Sequence, residues 1–272
     1  MSTILEKIIA AKRKEIEEFK PLSPIARFET DGFFWNFSNR SLKKSLLAED
    51  STGIIAEFKR KSPSKGWFVK QETEVESVVV PYNQFGAAAI SVLTDTPFFG
   101  GDLDDLIQTK VISDVPVLRK DFMIDPWQIA EAKAFGADVI LLIAACLSPA
   151  EVKQMAGYAN SIGLEVLLEL HDETELEHIC DETSIIGINN RNLNTFEVDI
   201  DRSLRMAEKI PQDKIKVAES GISSVENIRL FKENGFKGFL IGENFMKEPD
   251  PGKAFKNFII ELGYFKNTNL GK

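Results

Sequence analysis

Histidine and cysteine are nearly absent: the 272-residue chain holds two of each. His171 and His178 belong to no H-x-x-x-H pattern, and Cys146 and Cys180 form no C-x-x-C, so no zinc site or redox motif is recognisable. Two thiols far apart in sequence fit a reduced, cytosolic protein. A basic excess is missing too. The 33 Lys and Arg face 42 Asp and Glu, for a net charge of −9, which argues against a nucleic-acid partner, whose binding needs a basic face. No segment approaches the roughly 20 apolar residues of a membrane helix. The stretch from Ile4 to Arg13 interrupts its apolar residues with charges at helical spacing, unlike a signal peptide. These absences leave acid–base work to Lys, Glu and Asp. They also require any anionic substrate to be held by locally placed Lys, Arg and backbone amides, against the overall charge.

What is present is a core. With 43% hydrophobic residues, the length suits one α/β barrel of roughly 250 residues. Short apolar runs alternate with amphipathic stretches, the βαβα signature of a parallel sheet covered by helices. Strands are expected at Gly53–Lys59, Ala88–Leu93, Val115–Lys120, Asp138–Ile143, Glu165–Glu169, Ile185–Asn189, Ile215–Glu219 and Gly238–Ile241. Helices are expected near Glu72–Phe85, Leu103–Ile112, Pro126–Phe135, Pro149–Ile162, Glu173–Ile179, Asp201–Lys209, Ser223–Asn234 and Pro251–Leu262. Ser148-Pro149 and Asp125-Pro126 are helix starts, and Gly86, Gly136, Gly163 and Gly235 follow helix ends. The expectation is a TIM (β/α)8 barrel: one domain over 1–272, with a helical extension over 1–50, the barrel over 51–265 and a polar tail over 266–272. The length leaves no room for a fused second barrel.

In such a barrel the C-terminal strand ends build the active site. In Ile55-Ala56-Glu57-Phe58-Lys59, alternation places Ile55, Glu57 and Lys59 on one face. Taken alone, this segment reads most simply as an edge strand leaving the core. The pattern recurs, however. Leu118 with Lys120, Leu167 with Glu169 and Val217 with Glu219 each put a charge two residues beyond an apolar partner, and strand 6 ends in Asn189 and Arg191. Ions on an inward face are costly unless paired or used, so these residues are candidates for chemistry. The turns Glu219-Ser220-Gly221-Ile222 and Ile241-Gly242-Glu243-Asn244, after strands 7 and 8, have the position of a phosphate cradle. Ser62-Pro63-Ser64 could add hydroxyl contacts. Trp67, Phe98, Phe99 and Phe122 suggest a flat apolar pocket, and Pro97-Phe98-Phe99-Gly100-Gly101 a glycine-hinged lid. His171 reads as a loop histidine, Cys146 as a small filler, and Asp102, Asp104 and Asp105 as acids at a helix start.

Four motifs in order, Ile55-Ala56-Glu57-Phe58-Lys59-Arg60-Lys61-Ser62-Pro63-Ser64, Leu118-Arg119-Lys120-Asp121-Phe122, Gly187-Ile188-Asn189-Asn190-Arg191-Asn192-Leu193 and Val217-Ala218-Glu219-Ser220-Gly221-Ile222, resemble the indole-3-glycerol-phosphate synthase family of tryptophan biosynthesis. The resemblance implies a carboxy-lyase acting on 1-(2-carboxyphenylamino)-1-deoxyribulose 5-phosphate, with no cofactor, no metal and no nucleic-acid or membrane partner, and suggests a monomer. It implies Lys120 as general acid, Glu169 and Lys59 in a second acid–base pair, Glu57 orienting the lysines, Glu219 shaping the polar floor, and Asn189 and Arg191 contacting the substrate's polar groups. Ser220, Gly221, Gly242 and Glu243 match the phosphate cradle, with Ser62 and Lys59 nearby, Pro63, Phe99, Phe122 and Leu141 match the pocket for the ring, and Leu193 and Ile222 match further substrate-binding positions. Asn190 and Asn192 vary a recognisable motif. Glu243 sits where some family members carry Ser, and an acid beside a phosphate is expected to point away. Other phosphosugar barrels compete: an aldolase needs a strand-6 lysine that Asn189 and Arg191 do not supply, and an isomerase leaves the Lys and Arg residues unexplained. A non-catalytic phosphate-binding barrel would leave Lys120 and Glu169 without a role.

Overall fold

The computed structural model describes residues 3–192 and 197–264. The expected tail over 266–272 lies outside them, as does Leu193. Eight parallel strands close a barrel: β1 (Ile54–Phe58), β2 (Ala89–Leu93), β3 (Val117–Lys120), β4 (Val139–Ile143), β5 (Glu165–Leu170), β6 (Ile185–Asn189), β7 (Ile215–Glu219) and β8 (Phe236–Ile241). Each pairs with its successor, and β8 returns to β1. β6 and β7 match expectation at both ends, and the other strand ends differ from it by at most two residues. The largest differences are at β3, which starts just after Pro116, a residue with no ladder donor, and at β8, which begins early through an irregularity between Phe236 and Gly238. The helix expected from Glu72 begins only at Glu76, and the segment Glu173–His178 is a 3-10 helix.

Period-two alternation divides the apolar residues into two cores. Ile55, Leu118, Leu141, Leu167, Val217 and Leu240 fill the barrel interior. Ile54, Ile90, Ile140, Leu168, Ile186 and Phe239 face the surrounding helices. Three helices precede the barrel: α1 (Ile4–Phe19), α2 (Ile25–Asp31) and α3 (Leu42–Leu47). A capping box formed by Thr3 and Glu6 starts α1. Leu42 and Leu46 of α3 join the interior cluster beside Ala88, Val139 and Ile215, so the extension plugs the bottom of the barrel. Asp138 strengthens that plug by accepting from the Arg40 and Val117 amides and pairing with Lys110 at 2.6 Å.

Arg119 is on the outward parity of β3, 1% exposed between barrel and helix. Its Nη2 lies 2.8 Å from Glu131 and 3.3 Å from Asp121, and its Nε donates to Thr94 Oγ1 at 3.1 Å. Asp121 also accepts from Thr94 Oγ1 at 2.6 Å and from the Phe122 amide at 2.8 Å. Burial pushes the Asp121 carboxyl up, but Lys12 and Arg119 outweigh it and hold the group at about 2. A carboxylate depressed by the fold stabilises it at pH above the unfolded value near 3.8, and that stability is lost as pH falls through about 2. Asp121→Asn should therefore be less stable than wild type at neutral pH by at least about 2 kcal/mol, with a shallower fall in stability below about pH 4. Urea denaturation across that range measures both, and an unchanged acid slope would refute the assignment.

Candidate active site

At the C-terminal mouth, Glu57 and Lys59 of the β1 end, Lys120, Glu169, Asn189, Arg191 and Glu219 line one cavity. The Lys120 ammonium lies 3.0 Å from Glu169 Oε2 and 3.8 Å from Glu219 Oε2. Asn189 Nδ2 donates to Glu169 Oε1 at 2.8 Å, and Lys59 Nζ donates to Glu57 Oε1 at 2.8 Å. Burial lowers the Lys120 pKa, but Glu169, Glu219 and Glu57 outweigh it, so the group is raised and stays an ammonium. Burial would also raise Glu169, yet Lys120, His171 and Asn189 hold it well below the ordinary carboxylate range. Glu219 goes the other way. Burial and the Glu169 charge raise it well above the usual value, and Lys120 offsets them only in part. Two adjacent carboxyls are thus pushed in opposite directions, Glu169 down and Glu219 up, the arrangement that separates acid from base.

Glycine makes this packing possible at two positions. A Cβ on Gly187 would overlap Glu219 Oε1, and one on Gly242 would come 2.5 Å from Glu57 Oε1. Ser220 and Gly221 are consecutive left-handed residues, with φ of 65° and 68°. That conformation is unusual for serine and is seen where function over-determines the backbone. Ser62, Ser220, Gly221, Ile222, Gly242 and Glu243 all line the cavity, as do Pro63, Phe99, Phe122 and Leu141 on its apolar side. The Phe99 and Phe122 ring centroids are 5.9 Å apart.

Three expectations need correction. Glu243 does not point away: its Oε2 lies 2.9 Å from Arg191 Nη2, and although burial raises its pKa, Arg191, Lys59 and Lys65 bring it down. Trp67 is 48% exposed, with the Lys61 ammonium 5.4 Å from its ring, and neither it nor Phe98 lines the cavity. His171 is no free loop residue. It is 7% exposed, lines the cavity and places Nε2 2.9 Å from Glu169 Oε1. Its position two beyond Glu169 gave the signal, since the inward parity of Leu167 and Glu169 simply continues. Sequence reading also missed Ile4, Leu5 and Ile8 of α1, which line the cavity. The segment proposed as a lid is a helical turn, Thr96–Phe99, capped by Asp95 and tied to the β1 loop through Arg60 to the Gly100 carbonyl at 3.2 Å. Asp102 caps its helix and Asp105 pairs with Arg60. Burial pushes the Cys146 thiol up to about 12, as suits a packing residue.

A closed (β/α)8 barrel with ammonium and carboxyl groups converging at its C-terminal strand ends places this chain in the class of barrels whose strand ends carry the active site. Among solved structures, the tryptophan synthase α2β2 complex of Pyrococcus furiosus shares the fold at a TM-score of 0.58 and 16% identity, over 78% of this chain and 98% of that one. Thiamine phosphate pyrophosphorylase from the same organism does so at 0.57 and 17%, over 82% and 99%. The family model for indole-3-glycerol phosphate synthase matches residues 5–258. Proteins of that name from Bacteroides thetaiotaomicron and Polaromonas naphthalenivorans are 48% and 43% identical, covering 95% and 96% of this chain and 98% and 100% of their own lengths. The chain belongs to the indole-3-glycerol phosphate synthase family.

The contact at Gly187 yields a test of the site's packing. Gly187→Ala should cost about 1–3 kcal/mol by overpacking, and adding Glu219→Ala should return most of it because the clash is with that carboxyl. Urea denaturation of the two single variants and the double variant checks this, and additive effects would refute it.

Proposed function

We propose that this chain converts 1-(2-carboxyphenylamino)-1-deoxyribulose 5-phosphate to indole-3-glycerol phosphate, carbon dioxide and water, a carboxy-lyase reaction. The observation that carries this reading is an enclosed ammonium, Lys120, between two carboxyls whose acidities are pushed apart, beside an aromatic wall. Lys120 donates to the substrate's ketone oxygen while the ring carbon that bears the carboxylate attacks the ketone carbon. A positioned donor of this kind contributes about 10²–10⁴ in rate. The new C–C bond leaves that ring carbon tetrahedral, and loss of carbon dioxide returns its electron pair and restores aromaticity. The former ketone oxygen is now a tertiary hydroxyl. Lys59 protonates it as it leaves as water, while Glu169 takes the proton from the adjacent carbon, and the indole double bond forms.

Glu57 holds Lys59, and Asn189 holds Glu169 in line. The ring and its carboxylate lie against Pro63, Phe99, Phe122 and Leu141. The phosphate sits on the backbone at Ser220, Gly221 and Gly242, with Ser62 and Lys59 at its edge and Arg191 reaching the substrate's anionic groups. The Arg191 fork, now on Glu243, can accept a second anion through its remaining donors. All of these groups come from one chain, which supports action as a monomer, and two free thiols suit a reducing, cytoplasmic compartment.

Purified protein given this substrate should develop indole fluorescence, and its gene should restore growth to a tryptophan auxotroph. Failure of both with folded protein would favour a phosphate-binding barrel without catalysis. Lys120→Ala should lower kcat by at least about 10²-fold with its circular dichroism unchanged. Near-normal turnover would remove Lys120 from the role given to it.

A further inference from the structure

Lys12 is 2% exposed in the middle of α1, and no step above uses it. Its ammonium faces three carboxylates: Glu15 of its own helix at 3.0 Å, Asp121 at 3.1 Å and Asp95 at 3.3 Å. Asp95 follows β2 and accepts from the Phe98 amide at 2.8 Å, starting the turn that carries Phe99. Asp121 follows Lys120 in the chain and accepts from the Phe122 amide. One buried ammonium therefore joins α1 to the two segments that present the aromatic wall. The same face of α1 continues toward its N-terminus through Ile8, one turn away, to Leu5 and Ile4, all of which line the cavity. Without the ammonium, Asp95 and Asp121 would face each other as like charges in a buried place, and a buried charge that loses its partner is strongly destabilising.

We propose that Lys12 is a positioning residue for the reaction: it locks α1 across the barrel mouth, so that Ile4, Leu5 and Ile8 complete the apolar wall for the substrate's aromatic ring. The part played by the ring rests on the reaction proposed above; the lock itself does not.

Lys12→Met keeps the length of the side chain and removes the charge. In this variant KM should rise about ten-fold, the loss of roughly 1.4 kcal/mol of binding, and kcat should fall by less, since Lys120, Glu169 and Glu219 remain together. Hydrogen exchange of the α1 amides should accelerate while the barrel strands keep their protection. If Lys12→Met does not fold, Asp95→Asn weakens the lock from the barrel side and should shift KM and α1 exchange in the same direction. Unchanged α1 exchange would refute the lock. Faster exchange with KM within two-fold of wild type, or a fall confined to kcat, would refute the positioning role. Absence of turnover in the wild type would instead refute the reaction, leaving the lock to be judged by exchange.

Discussion

Charge neutrality inside an enclosed barrel mouth is the constraint on which the rest of the structure depends. Lys120 and the carboxyls of Glu169 and Glu219 occupy a place where an isolated charge would cost several kcal/mol. Lys120 and Glu169 favour each other's charged form there, while burial and the Glu169 charge push Glu219 toward its neutral form. Such a cluster is electrically balanced yet chemically asymmetric. One carboxyl can take a proton and another can give one, with a donor between them, and nothing needs to reorganise when substrate charge develops.

The same constraint explains the use made of each strand's two faces. Arg119 and Lys120 are neighbours in sequence with opposite fates. Arg119 points outward into a network with Glu131, the Gln128 carbonyl, Asp121 and Thr94, which fastens β3 to its helix and to the end of β2. Lys120 points inward, where its partners are groups that titrate. At the β1 end the division repeats: Glu57 and Lys59 face the cavity, while Arg60 turns outward to Asp105 and the Thr73 carbonyl. Outward ions hold the frame still. Inward ions are thereby presented at fixed distances, which is how a rigid scaffold supports proton transfer.

Much of this was legible in the sequence because strands have a period of two. Alternation alone assigned Glu57, Lys120, Glu169 and Glu219 to the barrel interior, and all four line the cavity. What escaped was information carried by pairs distant in the chain. Lys12 in an amphipathic helix looks like any surface lysine, and only the fold brings it to Asp95 and Asp121, more than 80 residues away. Trp67 failed for the converse reason. Its loop reaches the right end of the barrel, but the Lys61–Ser62 and Gly66–Trp67 hairpin turns the ring to solvent. Glu243 was misplaced because local reasoning weighed it against a phosphate without its real partner, Arg191, 52 residues before it.

The N-terminal extension is then no appendage to a finished barrel. A (β/α)8 sheet leaves two open ends, and its interior residues would meet water at both. Here α3 closes the lower end by inserting Leu42 and Leu46 into the interior cluster. α1 reaches the upper end through apolar residues and a single ammonium. The lower closure combines those apolar side chains with the buried Lys110–Asp138 pair. The upper one lies at the mouth of the cavity, which it has to border without filling. A buried ion pair at Lys12 supplies the fixed point, with Ile8 and Ile16 buried one turn to either side of it. Its geometry is specific, and Ile4 and Leu5, nearer the N-terminus of α1, are only partly buried where they line the cavity.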